Sequence, residues 1–254
     1  MQRYFVPEKN WKKDGVIILE DDAHHISRVM RFSVGDHIIC VHPNGEAATC
    51  QIMIMEKRII QAKVVKWIHQ NNELPVQVTI AQGLPKGNKL ELILQKGTEL
   101  GAAHFRLFKA DRSITKWESK KSVQKMTRYR KIIKEASEQS HRNQMPNIYE
   151  PVSLKTVIAE SKEYTTLLFA YEEEARTEHF LSFSSALSKV KVNDRILICI
   201  GPEGGFSHEE ATLLKEHRFL PVRLGKRILR TETASMYALA SISYHFEELR
   251  WERN

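Results

Sequence analysis

Apolar and polar residues alternate in short runs over the first part of the chain, at 16–19, 38–42, 47–56 and 59–67, with turn signals at Gly35-Asp36 and Pro43-Asn44-Gly45. A period of two puts successive side chains on opposite faces of an extended backbone, so these runs predict strands. Helical spacing interrupts them at 22–30, with Asp21 or Asp22 placed to cap the start. Short strands with one helix predict a small β-barrel over residues 1–70. The polar stretch 69–75, ending in Leu74-Pro75, reads as a linker.

After Pro75 the rhythm changes to strand, loop, helix. Strands are predicted at 76–82, 105–110, 165–170, 195–200 and 221–224. Between them lie a helix at 89–100 closed by Gly101, a long helix at 119–141, a break at Pro146 and a short helix at 154–160. A helix starting at Ser207 separates the last two strands, and a final one runs over 231–251. This alternation predicts an α/β domain at 75–254, with a mostly parallel sheet covered on both faces.

Charge narrows the partner. Lys and Arg number 39 against 31 Asp and Glu, a net charge of +8 that favours a polyanion, RNA or DNA before a membrane. The excess is concentrated at 116–134, where Lys116, Lys120, Lys121, Lys125, Arg128, Arg130, Lys131 and Lys134 face one acid, Glu118. Met126, Tyr129, Ile133 and Ala136 recur there at three-to-four spacing, so the segment predicts an amphipathic helix with a basic outer face. A charge run is usually a solvated face, but eight cations to one anion point to phosphate contact. Lys86, Lys96 and Arg112, with Arg3, Arg28 and Arg31 in the barrel, are further RNA-binding candidates.

Cys40, Cys50 and Cys199 are odd in number and widely spaced in apolar runs, which predicts buried thiols rather than a disulfide framework or a CxxC site. The eleven histidines show no metal-ligand spacing. The N-terminus lacks the apolar core of a signal peptide, and no stretch is apolar enough to span a membrane, so the expected compartment is the cytoplasm.

Two loops carry the candidate chemistry. Ile200-Gly201-Pro202-Glu203-Gly204-Gly205 and Leu224-Gly225-Lys226-Arg227-Ile228-Leu229-Arg230-Thr231-Glu232-Thr233-Ala234 each follow a predicted strand and precede a helix. That places both at the carboxyl ends of parallel strands, where open α/β sheets bind ligands. Ser207-x-x-Glu210 has the form of a capping box. A tight strand-to-helix turn needs glycines even without a ligand, and neither G-x-G-x-x-G nor a P-loop occurs in the chain.

Together with Lys96-Gly97-Thr98-Glu99-Leu100-Gly101, the segment 138–146 (EQSHRNQMP), Arg3-Tyr4-Phe5 and His24-His25-Ile26-Ser27-Arg28-Val29-Met30-Arg31, these loops resemble the RsmE family of ribosomal RNA small-subunit methyltransferases, within the knotted SPOUT superfamily. The resemblance spans the chain. It implies an N-terminal PUA-like β-barrel, a C-terminal α/β domain with a deep trefoil knot, S-adenosyl-L-methionine as cofactor and a homodimer. The implied reaction is methylation of uridine N3 in 16S rRNA of the small ribosomal subunit. Carried onto this chain, one wall of the cofactor pocket would be Ala170, Ile200, Gly201, Pro202, Glu203, Gly204 and Gly205. The other would be Leu224, Gly225, Ile228, Leu229, Arg230, Thr231 and Ala234.

A sulfonium already activates the methyl group, so the implied chemistry needs no metal; N3 of uridine carries a proton at neutral pH and does need a base. Arg142 is the candidate stabiliser of the deprotonated ring. Glu232 ranks first as base, with Glu138 and Glu203 as alternatives. Each carboxylate has a structural reading too, as a helix cap, an ion pair or a loop anchor. A ribose methyltransferase and a non-enzymatic RNA-binding assembly factor are the other open functions. On the last helix Met236, Leu239, Ala240, Ser243 and Phe246 form an apolar stripe that could pack on its own core or across a two-fold axis of the dimer.

Overall fold

The computed structural model describes residues 1–115, 117, 120, 122–171 and 181–249. The chain divides into two compact units, Met1–Glu73 with Lys134–Met145, and Leu74–Ile133 with Pro146–Asn254. The sequence boundary near residues 70–75 was drawn as one cut in a continuous chain; residues 134–145 instead join the first unit.

The first unit is a curled six-stranded sheet, ordered β1-β4-β5-β6-β3-β2. Its strands are β1 (Arg3–Phe5), β2 (Trp11–Lys12), β3 (Gly15–Leu19), β4 (His37–Val41), β5 (Ala47–Met55) and β6 (Ile59–Ile68). All pairings are antiparallel except β1 with β4. Alternation along these strands buries Tyr4, Ile18, Ile38, Ile52 and Ile60, with Ile26 from the helix, in one core.

Helix α1 (Glu20–His24), continued by a wider π turn over His25–Val29, begins one position before Asp21 and two before Asp22, the predicted caps. Its N-cap is Leu19, without a side-chain cap, so Asp21 and Asp22 lie inside the first turn. Asp22 pairs instead with Lys134 Nζ at 2.5 Å.

Buried polar groups explain why 134–145 belongs here. Lys134 also pairs with Glu138 at 2.8 Å, and Glu138 accepts from the backbone N–H of Phe5 at 3.2 Å. Arg3 donates to the carbonyls of His141 and Arg142, both at 2.7 Å. Glu73 accepts from Arg142 Nε at 2.9 Å and from the N–H groups of Asn143 and Gln144 at 2.8 and 3.1 Å. Buried charges persist when paired and hydrogen-bonded, so this network holds the segment in place.

The second unit contains six parallel strands in the order β12-β10-β11-β7-β8-β9. They are β7 (Gln77–Gly83), β8 (His104–Lys109), β9 (Asn147–Ser153), β10 (Thr166–Ala170), β11 (Arg195–Ile200) and β12 (Leu220–Val222). The helices are α2 (Lys89–Glu99), α3 (Ser122–Gln139), α4 (Leu154–Glu160), α5 (Phe183–Leu187), α6 (His208–Glu216) and α7 (Thr231–Ser243), the last continued by a π turn over Tyr244–Glu248. One face of the sheet packs against α2, the first part of α3, α5 and α7, and the other against α4 and α6. Cys40, Cys50 and Cys199 are free and buried.

Three differences from the sequence reading have local causes. Strand β9 was expected as a break after Pro146; it contains Pro151 and runs along the sheet edge, where a missing N–H is tolerated. Helix α5 is one short turn of a serine-rich segment, started by the Ser182 cap. The inner stripe of α7 is Thr231, Ala234, Ser235, Ala238, Leu239 and Ile242, rotated from the predicted one, so Leu239 and Phe246 fill the unit's own core while Ala240 is exposed. Ser119, the expected start of α3, and Trp251, the expected end of the last helix, lie outside the described residues.

Candidate functional site

Parallel strands aim their carboxyl ends at one edge of the sheet, and there the second unit opens a cleft of about 380 Å³. Ala170 and Tyr171 enter it from β10, residues 200–203 with Gly205 and Phe206 from β11, and Val222, Arg223 and Leu224 from β12. Residues 227–231 with Gly225 and Ala234 form the opposite side, up to the start of α7. The structure thus brings the residues assigned to the cofactor by resemblance to one cleft, with the exception of Gly204. Gly204 is exposed and does not line the cleft, its carbonyl accepting from Arg112 Nη1 at 3.0 Å.

Local chemistry sets the shape of the glycine loop. Gly205 takes φ +66° and its N–H closes on the Pro202 carbonyl at 2.9 Å, a left-handed turn that a side chain disfavours. Immediately afterwards the predicted capping box forms: Ser207 accepts from Glu210 N–H at 3.1 Å, and Glu210 accepts from Ser207 N–H at 2.9 Å.

A buried polar network joins the three chain segments around the cleft. Gln82, at the end of β7, donates through Nε2 to Thr231 Oγ1 and to the Gly83 carbonyl, both at 2.9 Å, and accepts from Ser235 Oγ at 2.6 Å. Thr231 Oγ1 in turn donates to the Gly201 carbonyl at 2.7 Å. The start of α7 is therefore tied to the glycine loop through atoms sealed from water. Gln82→Leu leaves these groups short of partners, and is expected to lower unfolding free energy by about 1–3 kcal/mol. Urea denaturation of the two proteins checks this; an unchanged midpoint would contradict it.

The cleft is basic. Lys89, Arg112, Arg223, Arg227 and Arg230 line it against one acid, Glu203. Lys89 Nζ lies 2.8 Å from Glu203 and 3.6 Å from Glu232. Burial pushes the Glu203 carboxyl up, but Lys89 and the Lys86 N–H, 3.1 Å away, outweigh it and hold the group below the usual carboxylate range. Glu232 sits in the first turn of α7, beside the wall residue Thr231. Its side chain is 13% exposed, and Oε2 is enclosed with no hydrogen-bond partner among the described residues. The N-cap Arg230 provides no side-chain cap, which leaves first-turn N–H groups of α7 open to an acceptor.

Other predicted residues lie elsewhere. Arg142 and Glu138 belong to the first unit and are buried there, and neither is among the residues that line the cleft. The Arg142 charge is already met by Glu73, and Glu138, pushed up by burial, is engaged by Lys134 and Phe5. Both anchor segment 134–145 in the first unit.

Arg3 is buried, and its Nη1 is engaged by the His141 and Arg142 carbonyls rather than presented at the surface. Arg28, Arg31 and Lys86 are exposed, whereas Lys96 pairs with Glu99 at 2.8 Å and Arg128 with Glu91 at 2.7 Å. Lys125 lies over the Trp117 ring at 4.9 Å. Lys116, Glu118 and Lys121 fall outside the described residues. Sequence reasoning missed Lys89, Tyr171, Arg223 and the Gln82 network. A glutamine inside a strand buried on both faces was the available signal for the network; nothing marked Lys89.

Known proteins resemble this chain in both units. The family described as RNA methyltransferase domain matches residues 72–243, and the RNA methyltransferase PUA domain matches residues 18–65. Ribosomal RNA small subunit methyltransferase E of Bacillus subtilis strain 168 is 41% identical, with all of both chains covered. The protein of that name from Synechocystis is 31% identical, covering 90% of this chain and 72% of its own. The crystal structure of a ribosomal RNA small subunit methyltransferase E from Neisseria gonorrhoeae bound to S-adenosyl methionine aligns with a TM-score of 0.84 at 27% identity, covering 97% of this chain and 98% of its own.

Proposed function

This chain belongs to the ribosomal RNA small subunit methyltransferase E family, and from that premise we propose that it methylates N3 of a uridine in 16S rRNA, with the second-unit cleft as its active site. It is an S-adenosylmethionine-dependent rRNA methyltransferase. The observation that carries the site assignment is the convergence of the glycine loop and the start of α7 on one cleft; Glu232 follows the lining residue Thr231 without itself lining the cleft.

The residues present fit the cofactor. A cleft of about 380 Å³ lies in the range of small-molecule sites. Its apolar surface comes from Ala170, Ile200, Leu224 and Leu229, and the uncapped start of α7 offers N–H donors to a carboxylate or a ring nitrogen. When bound, S-adenosylmethionine supplies an electrophilic methyl on a sulfonium. The chain's own residues align the base and manage its proton. Glu232 takes the N3 proton, and the cations lining the cleft stabilise the negative charge that then spreads over the uracil oxygens. Lys89, between Glu203 and Glu232, holds the two carboxylates in place.

Three further parts of the reading come from the resemblance. The trefoil knot is supported by the path of the chain: after β12 at the sheet edge it returns past β10 and β11, and Thr231 bonds to Gly201 and Gln82. The homodimer is supported by exposed Tyr237 and Tyr244 on the outer side of α7. A reducing cytoplasm is supported by the three free, buried cysteines. No described helix is long and apolar enough to cross a membrane.

The test is methylation of total rRNA with labelled S-adenosylmethionine, followed by nucleoside analysis. 3-Methyluridine from 16S rRNA is the expected product. A ribose-methylated nucleoside or a methylguanosine would overturn the assignment of the atom and leave the fold standing.

A further inference from the structure

The first unit carries an aromatic stack that the cleft does not use. Trp11 and Trp67 lie nearly parallel, with ring centroids 5.7 Å apart and 18° between planes. His42 meets Trp11 edge-on at 5.3 Å. Trp11 is the fixed member, half-buried against the core, with its Nε1–H donating to the Val6 carbonyl at 3.1 Å. Trp67, near the end of β6, is the outer member and is 41% exposed. An indole stacked at one face on a ring that is itself anchored is rigid, and the stack ends at a surface open to solvent.

The strands that carry it are basic on their other face. Lys12 follows Trp11 and Lys66 precedes Trp67, so strand alternation puts both on the face opposite the indoles, and Lys12 and Lys63 are both in register with Gly15 on the strand between them. Lys12, Lys13, Lys63 and Lys66 are exposed and enter no salt bridge among the described residues. Asp14 and Glu46 are the acids of the neighbouring turns, and Glu46 is tied to Asn44 at 2.7 Å. Lysine is depleted at protein–protein interfaces, so an exposed indole on lysine-rich strand ends is poorly suited to a protein partner. It suits a chain that presents flat rings and phosphates together, because every base offers a π-face and each phosphate a charge.

We infer that Trp67, backed by Trp11 on strands whose opposite face carries these lysines, is a stacking platform for an unpaired base of an RNA that wraps the strand ends. The inference rests on the reading of this chain as an rRNA enzyme, and adds a contact in the first unit to the cleft in the second. It requires the bound RNA to be single-stranded at this point, since a base inside a duplex has no free face.

Fluorescence anisotropy with labelled twelve-residue oligouridylate, at fixed salt, tests it on the full chain. Trp67→Leu is expected to weaken binding about 10-fold, within the usual range for one stacked base, while Trp67→Phe stays near the parent. Affinity for a duplex RNA of equal length should not change in either variant. Parent-like oligouridylate binding by Trp67→Leu would overturn the platform, and so would equal losses on oligouridylate and duplex, which is the signature of a purely electrostatic surface.

Because Trp67→Leu also removes a packing partner of Trp11, a second measurement uses the native pair. In a Trp117→Phe, Trp251→Phe background, oligouridylate should quench indole emission, and unchanged emission at saturation would reject the platform. Failure of the enzymatic reading is separate. It would appear as an absence of methylated nucleoside from rRNA while Trp67-dependent oligouridylate binding persists.

Discussion

Glu232→Gln is expected to bind S-adenosylmethionine as tightly as the parent and to transfer methyl on the order of 10²–10⁴-fold more slowly. The substitution preserves shape and removes the ability to accept a proton. Glu232 is held by its position and by Lys89: it occupies the first turn of α7, one residue after Thr231, whose hydroxyl is locked to Gly201. Its Oε2 is enclosed, lacks a hydrogen-bond donor among the described residues and lies 3.6 Å from Lys89 Nζ. Loss of its charge from a helix N-terminus costs only about 0.3–1 kcal/mol, so the fold should survive. Single-turnover methylation at saturating cofactor, with calorimetry of cofactor binding alone, separates the two effects. Parent-like turnover would remove Glu232 from the role and direct attention to Glu203.

Gly83→Val should damage the same site from behind. A Cβ at Gly83 would stand 2.7 Å from Pro202 Cδ, 2.9 Å from Pro202 N and 3.2 Å from the Gly201 carbonyl carbon. Such contacts cannot persist. Relief by rotating a flexible side chain is unavailable, because the obstacles are a proline ring and backbone. That backbone is held by Thr231 on one side and by the Gly205 turn on the other. The glycine loop must therefore move away from β7, and a displacement of about 1 Å at a positioning element typically costs on the order of 10²-fold in rate. Overpacking also lowers stability by about 1–3 kcal/mol. Gly83→Ala should act in the same direction with a smaller effect. Calorimetry with S-adenosylmethionine and thermal unfolding are the checks, and a Val variant with parent-like affinity and melting temperature would contradict the close approach.

Much of the architecture was legible because periodicity is local. The period-two runs at 38–42, 47–56 and 59–67 correspond to β4, β5 and β6, and the strand and helix rhythm after Pro75 to the parallel unit. Ser207 and Glu210 were readable as a cap because both partners lie within one turn of each other. Strand β9 was hidden by its own composition, with Pro151 and an acid in a segment that owes its extended form to pairing with β8. The inner stripe of α7 was misplaced for a related reason: small residues such as Ala234, Ser235 and Ala238 carry little hydrophobic signal, and become interior only because neighbouring elements close over them.

Electrostatic roles were the least legible. Arg3, Glu138 and Arg142 read as functional charges, yet more than 130 residues separate Arg3 from the carbonyls that it binds. A charge's role depends on its partner, and no window of sequence contains both. Lys134 shows the same effect. It continues the basic run of α3, but Asp22 and Glu138 surround it, and their carboxylates raise its pKa even though burial acts to lower it.

By itself the sequence determined the two kinds of unit, the glycine loops and their family likeness, because strand period, helix period, caps and turn residues are encoded within a few neighbouring positions. Tertiary structure decided the rest. It drew 134–145 into the first unit, tied Gln82 to Thr231 across 149 residues, and set Lys89 between two carboxylates. It also stacked Trp67 on Trp11. Hydrogen bonds and ion pairs act over a few ångströms of space, whatever the separation along the chain, so only the folded backbone selects which residues meet.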